Sequence, residues 1–205
     1  MISLRRALAK PHLRLAAVDD GPFTRRHRYA PVVGIVVSLP ATVEAIAVSR
    51  VRVDGRDATD RVVALLRQLP PLEGVRAIVV DGIAVGGFNV LDLDRVAGEL
   101  RRPVVSVTRR SPDYRAIERA LRTYFPRDAE RRWRLIRAHR LFPVPTGGAP
   151  LWATAVGCTR ADAVALLRRA AEHGYWPEPL RLAHLIARAS AEGFTRKRPF
   201  RRPGL

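Results

Sequence analysis

The sequence predicts an α/β fold: a mixed sheet, with an antiparallel hairpin beside parallel strands, flanked by helices. Three observations carry this. Two β-branched runs, 32–39 and 43–53, are separated by a turn at Pro40-Ala41, the pattern of a hairpin. Short apolar runs at 75–80 and 103–107 then alternate with helical segments, as parallel strands joined by crossovers do. Beyond residue 113 helical spacing dominates.

Taken in order, residues 13–18 form a short apolar strand stopped by Asp19-Asp20-Gly21-Pro22. After the hairpin, residues 58–69 carry Val62, Val63, Leu65, Leu66 and Leu69 at helical spacing before Pro70-Pro71. Residues 75–80 read as a fully buried strand ending in Asp81-Gly82. The chain then runs on through an apolar segment broken by Gly86-Gly87 and Asn89. A helix at 93–100 leads to a third core strand at 103–107. Residues 113–124 and 129–139 are arginine-rich amphipathic helices, 143–150 a loop holding Gly147-Gly148, and 151–156 a last strand. Thr159 and Asp162 sit in capping-box positions for a helix at 159–173, and 179–191 form another. There is no internal repeat. The expected organisation is one domain, 1–195, followed by a basic, mobile tail, 196–205.

At 205 residues, 47% of them apolar, the chain can bury one sizeable core and is not wholly disordered. Its net charge is +18, from 37 basic residues against 19 acidic ones. Only Lys10 and Lys197 are lysines. A GC-rich genome explains arginine in place of lysine but not the shortage of acids. Such a surface attracts polyanions, with nucleic acid, DNA foremost, as the expected partner. A single cysteine, Cys158, excludes an intrachain disulfide and a cysteine-based zinc site. Residues 1–10 are basic without an adjoining apolar stretch, and Pro31, Pro40 and Glu44 interrupt the best membrane candidate at 30–49. The expectation is a cytoplasmic protein with no membrane partner.

Asp19-Asp20-Gly21, Asp54-Gly55, Asp57 and Asp81-Gly82 each put an acid in or beside a turn. Taken singly they are ordinary: Asp-Gly is turn chemistry, and Asp57 can cap the helix that follows. Topology adds to this. Parallel neighbouring strands ending at Asp19 and Asp81 would bring both acids to one edge, where open sheets bind ligands. Carboxylates converging there suit Mg²⁺ or Mn²⁺. Such ions activate water and stabilise charge in phosphodiester cleavage.

Three features suggest contacts to nucleic acid. Gly86, Gly87, Phe88 and Asn89 either approach a strand, with Phe88 stacking on a base, or form a tight turn with Phe88 in the core. Arg131, Arg132 and Trp133 either form a stacking and phosphate patch or anchor a helix with a solvated arginine face. Arg196, Arg198, Arg201 and Arg202 extend the basic surface into the tail. His184, among Leu182, Ala183, Leu185 and Ile186, reads first as a buried, hydrogen-bonded histidine, with a role as proton donor as the alternative.

The segments "AAVDDGPF", "VRVDGRDATD", "VVDGIAVGGFNVLDL", "PVVSVTRR" and "WPEPLRLAHLIA" occur in order. They resemble the archaeal endonuclease dU family, itself distantly similar to endonuclease V. That resemblance implies a ribonuclease H-like fold and Mg²⁺-dependent cleavage of DNA near a deaminated base, deoxyuridine or inosine. It implies Asp19 or Asp20, then Asp57, then Asp81 as metal ligands. The basic residue after the fifth strand would be Arg109 or Arg110. The competing expectation is a nucleic-acid-binding protein that keeps the fold without catalysis.

Overall fold

The central strands form where the sequence is apolar on both faces. In the structure, a computed structural model that describes residues 4–70, 72–171 and 174–195, β1 (Arg14–Asp20) and β4 (Val75–Asp81) pair in parallel. Val18 stands opposite Val80. β5 (Val104–Thr108) extends the parallel set beside β4. On the other side β2 (Tyr29–Ser38) and β3 (Thr42–Arg52) make the antiparallel hairpin. β3 alternates exposed with half-buried residues, as an edge strand with a solvated face does. β6 (Phe142–Val144) and β7 (Leu151–Val156) complete a seven-stranded sheet ordered β3-β2-β1-β4-β5-β7-β6.

The period of two along each strand divides the core between two faces. Ala16, Val18, Val32 and Val36 meet α2 (Ala58–Arg67) and α3 (Leu93–Leu100). Leu15, Ala17, Val33 and Ile35 meet α1 (Leu4–Leu8), α6 (Arg160–Ala170) and α7 (Glu178–Thr195). A smaller cluster joins α4 (Tyr114–Tyr124) and α5 (Ala129–Arg137) to Val90 through Leu121 and Ile136.

α7 decides where the site lies. Its buried stripe of Leu180, Ala183 and Ala187 repeats at helical spacing, and the alanines let it lie close to β1 and β2. At the end of β1, a Cβ on Gly21 would come 2.5 Å from the Ala187 carbonyl oxygen. Strand end and helix therefore touch backbone to backbone.

Some boundaries differ from those the sequence suggests. β1 and β4 run on through Asp20 and Asp81 instead of stopping before them, because these acids still have strand neighbours. The 143–150 stretch begins inside β6, whose Pro143 hides a short edge pairing with β7. α1 lies in a segment too short for its period to register. Thr159 does cap α6: its hydroxyl accepts from Asp162 N–H at 3.1 Å and donates to the Asp162 carboxylate at 2.8 Å. The tail, with Arg196, Arg198, Arg201 and Arg202, lies outside the described residues. Among those described, no helix is long and apolar enough to cross a membrane.

Candidate active site

Strand parity settles which acid faces which layer. Leu15 and Ala17 on β1 and Ala77 and Val79 on β4 face α7, so Asp19 and Asp81 continue that face. Asp20 follows Ala16 and Val18 toward the opposite layer. There its carboxylate accepts the Gly86 N–H.

α7 brings a further group to the acids. His184 Nδ1 lies 3.0 Å from Asp19 Oδ2, and the Asp20 N–H donates to Asp19 Oδ1 at 2.8 Å. The side chain of His184 is 52% exposed, not buried as its apolar neighbours suggest. It borders the Leu180–Ala183–Ala187 stripe and so leans over the sheet edge. That stripe is the signal that would have found it. Arg109, just beyond β5, holds a guanidinium nitrogen 3.8 Å from Asp81 Oδ2 and lies 3.7 Å over the Trp176 ring. Arg110 beside it is exposed. Asp19, Asp20, Asp81, His184, Arg188 and Phe23 help line an open cleft of about 600 Å³.

Burial, and then their mutual repulsion, favours the protonated form of these carboxyls. Asp19 is only 3% exposed, and burial, then Asp81 and Asp20, push its pKa up to about 8. Burial pushes Asp81 up to about 6, with Arg109 opposing and Asp20 adding to the rise. Asp20 is raised by burial against the pull of the Gly86 N–H. Three acids thus converge on one edge with their negative charge poorly compensated.

Among the described residues, no three His, Cys, Asp or Glu side chains are arranged to hold a metal ion as they stand. Asp20 is turned to Gly86, and Asp19 to His184 and its own neighbour. The donor chemistry nonetheless fits a hard divalent cation, which favours carboxylate oxygens and relieves this repulsion.

Asp57 stands apart from this set. Its Oδ1 accepts from Arg52 N–H at 3.1 Å and from Asn89 Nδ2 at 2.8 Å. It occupies the N-cap position of α2 without capping it; Asn89 Oδ1 takes the Ala58 N–H instead, at 2.9 Å. Asn89 is fully buried, which removes it from any nucleic-acid surface. Phe88 packs edge-on against Phe125, ring centres 5.6 Å apart, so it anchors the loop. Gly86 and Gly87 both have positive φ, and a Cβ on Gly87 would collide with the Asp54 carboxylate. These glycines fold the loop tightly while Gly86 holds Asp20.

Arg132 is likewise interior, at 3% exposure, because it holds three segments together. It pairs with Asp128 at 2.8 Å and donates to the carbonyls of Asp54 and Phe88. Arg131, half exposed, remains at the surface. Trp133 is part-buried and edge-on to Tyr114.

A mixed sheet with acids ending its first and fourth strands, flanked by helices on both faces, defines a ribonuclease H-like fold related to that of endonuclease V. The chain belongs to the endonuclease dU family, whose model matches residues 11–191. It is 36% identical over 192 residues to the UPF0215 protein of Thermococcus gammatolerans, covering 92% of this chain and 97% of that one. Its fold matches the crystal structure of a protein of unknown function from Archaeoglobus fulgidus at a TM-score of 0.78, with 32% identity over 87% of this chain and 98% of that one. The catalytic domain of human endonuclease V shares the fold at a TM-score of 0.62 and 17% identity, over 95% and 89% of the two chains. The Ciona intestinalis endonuclease V, solved with a 24-mer DNA containing an inosine followed by a ribo-adenosine, does so at 0.59 and 12%, over 90% and 88%.

Proposed function

We propose that this protein is a Mg²⁺-dependent endonuclease, Mn²⁺ substituting, that hydrolyses a DNA phosphodiester bond near a deaminated base, deoxyuridine or inosine, in repair. The observation that carries this reading is the meeting of Asp19, Asp81 and His184 at one sheet edge, with Asp20 beside them. The inosine-containing DNA bound by the Ciona relative supports the choice of substrate.

Asp19 and Asp81, joined by Asp20, would hold the ion. When bound, the ion supplies an acidified water and positive charge beside the phosphate. The chain does the rest. With Asp19 accepting from Nδ1–H, His184 presents Nε2 to take or return a proton as water oxygen bonds to phosphorus and the P–O bond to the leaving sugar breaks. Arg109, held over the Trp176 ring, balances charge growing on the phosphate oxygens. The arginine-rich surface, extended by the tail arginines, draws the strand in.

The alternative is a binding protein without catalysis. What favours it is Asp57, whose carboxylate is taken up by Asn89 and Arg52. End-labelled oligonucleotides carrying uracil, inosine, mismatches or ribonucleotides, with Mg²⁺, Mn²⁺ or EDTA, separate the two. Cleavage that needs a divalent ion supports the nuclease; binding with no cleavage on any substrate supports the alternative.

A further inference from the structure

We propose that a second cleft, next to the acids, is a subsite for one unstacked nucleotide of a single-stranded stretch of the substrate. The inference rests on the nucleic-acid reading above and specifies the form of strand that the site takes.

The cleft, of about 550 Å³, lies in the connection from β1 to β2, within the ~300–1,000 Å³ of small-molecule sites. Pro22 and Phe23 line both it and the acid cleft, so the two are neighbours. Its walls include Phe23, Tyr29 and Pro31; its basic residues are Arg26, Arg28 and Arg50. No carboxylate is among the described residues lining it.

Its parts are held in place. The Gly21 N–H donates to the Pro31 carbonyl at 2.9 Å, fixing the floor. The 24–27 turn is closed twice: His27 N–H to the Thr24 carbonyl at 2.9 Å, and Thr24 N–H to His27 Nδ1 at 3.0 Å. Because Nδ1 accepts, a neutral His27 carries its proton on Nε2 and offers a donor. Phe23 packs against the core yet stays part-exposed, and Tyr29 is 37% exposed with the Arg28 guanidinium 5.5 Å over its ring.

Aromatic faces joined to arginines match the two halves of a nucleotide: a flat base and an anionic phosphate. A base paired in a duplex cannot reach such walls. The subsite therefore selects strands that are single or locally opened, and the Pro22 and Phe23 it shares with the acid cleft place the occupant near the bond to be cut.

Binding in EDTA tests this without any hydrolysis. The probes are a fluorescein-labelled 12-nucleotide single strand of DNA and versions of it with one abasic position moved along the strand. Phe23→Leu should weaken binding of the intact strand about tenfold, and Phe23→Trp should restore it. One abasic position should erase the difference between wild type and Phe23→Leu. The double variant Arg26→Gln/Arg28→Gln should lower the log–log salt slope by about 1.4. Should Phe23→Leu lower the melting temperature, Tyr29→Leu takes its place with the same expected pattern.

Equal binding of the intact strand by wild type and the folded aromatic variant overturns the proposal. So does a loss that is the same on every abasic strand, since that is not stacking. If the expected pattern holds while wild type cleaves nothing, the subsite stands and the nuclease reading falls.

Discussion

His184 and Asp19, 165 residues apart in the chain, meet at 3.0 Å where the last helix crosses the end of the first strand. The contact joins β1 to α7 at the proposed reaction centre. It also makes His184 more than a surface residue of α7.

His184→Ala should therefore lower cleavage by about 100-fold or more, the scale of general acid–base assistance. Melting temperature and oligonucleotide affinity in EDTA should stay near wild type, because the ring is half exposed. A cleavage rate within a few-fold of wild type would remove His184 from the chemistry.

The raised acids make stability depend on pH in a definite direction. Asp19 titrates near 8 and Asp81 near 6 in the folded protein, against 3.8 for an ordinary aspartate. Their neutral forms stabilise the metal-free fold fully below about pH 4. That contribution is lost as pH rises through 6 and then 8. Asp19→Asn should thus match wild type near pH 4 and melt higher near pH 8 without metal. Mn²⁺ added to wild type at pH 7 should raise the melting temperature and release protons, and Asp19→Asn should do neither. Parallel melting curves for the two proteins from pH 4 to 8 would contradict this.

Much of this edge could be read from the sequence. The apolar runs before Asp19 and Asp81 announce two buried strands, and Asp-Gly after the second marks its end. Which of Asp19 and Asp20 faces α7 could not be read. A strand buried on both faces is apolar at odd and even positions alike, so its own pattern names no face. Asn89 failed for a different reason. Gly-Gly-Phe-Asn has the composition of an exposed loop, yet this asparagine satisfies Ala58 N–H and Asp57 from inside the protein. Arg132 misled in the same way: one buried arginine looks like its solvated neighbours until its partners, 44 and 78 residues away, are known.

Gly21 tests whether α7 must lie this close. Its Cβ would meet the backbone oxygen of Ala187, which cannot swing aside as a side chain can. Gly21→Ala should destabilise the protein by ~1–3 kcal/mol, the cost of overpacking. It should also reduce cleavage at temperatures where the variant is still folded, because His184 rides on the displaced helix. Wild-type stability and activity would show that β1 and α7 can separate freely.

Two neighbouring arginines should behave oppositely. Arg132→Met leaves Asp128 with weaker partners and two carbonyls without a donor, so it should cost about 3 kcal/mol of stability. Arg131→Gln should change stability by less than about 0.5 kcal/mol and lower the salt slope of duplex binding by about 0.9 if Arg131 meets one phosphate. Chemical denaturation and salt titration check both. A stable Arg132→Met with weakened binding would return Arg132 to the nucleic-acid surface.

Asp81, with Asp19 and Asp20, forms the proposed catalytic edge, while Asp57, bound by Arg52 and Asn89, supports the fold. The most direct measurement is Mg²⁺-dependent cleavage of a uracil- or inosine-containing oligonucleotide by Asp81→Asn and Asp57→Asn beside wild type. Asparagine keeps the shape of each side chain but lacks the charge that holds Mg²⁺. Asp81→Asn should lose more than about 100-fold in rate, beyond what outer-sphere changes to metal sites usually cost. It should retain its melting temperature and its affinity for the strand. Asp57→Asn, which can still accept through its amide oxygen, should cleave within a few-fold of wild type. Cleavage by Asp81→Asn at the wild-type rate, or an equal loss in Asp57→Asn with the fold intact, would contradict it.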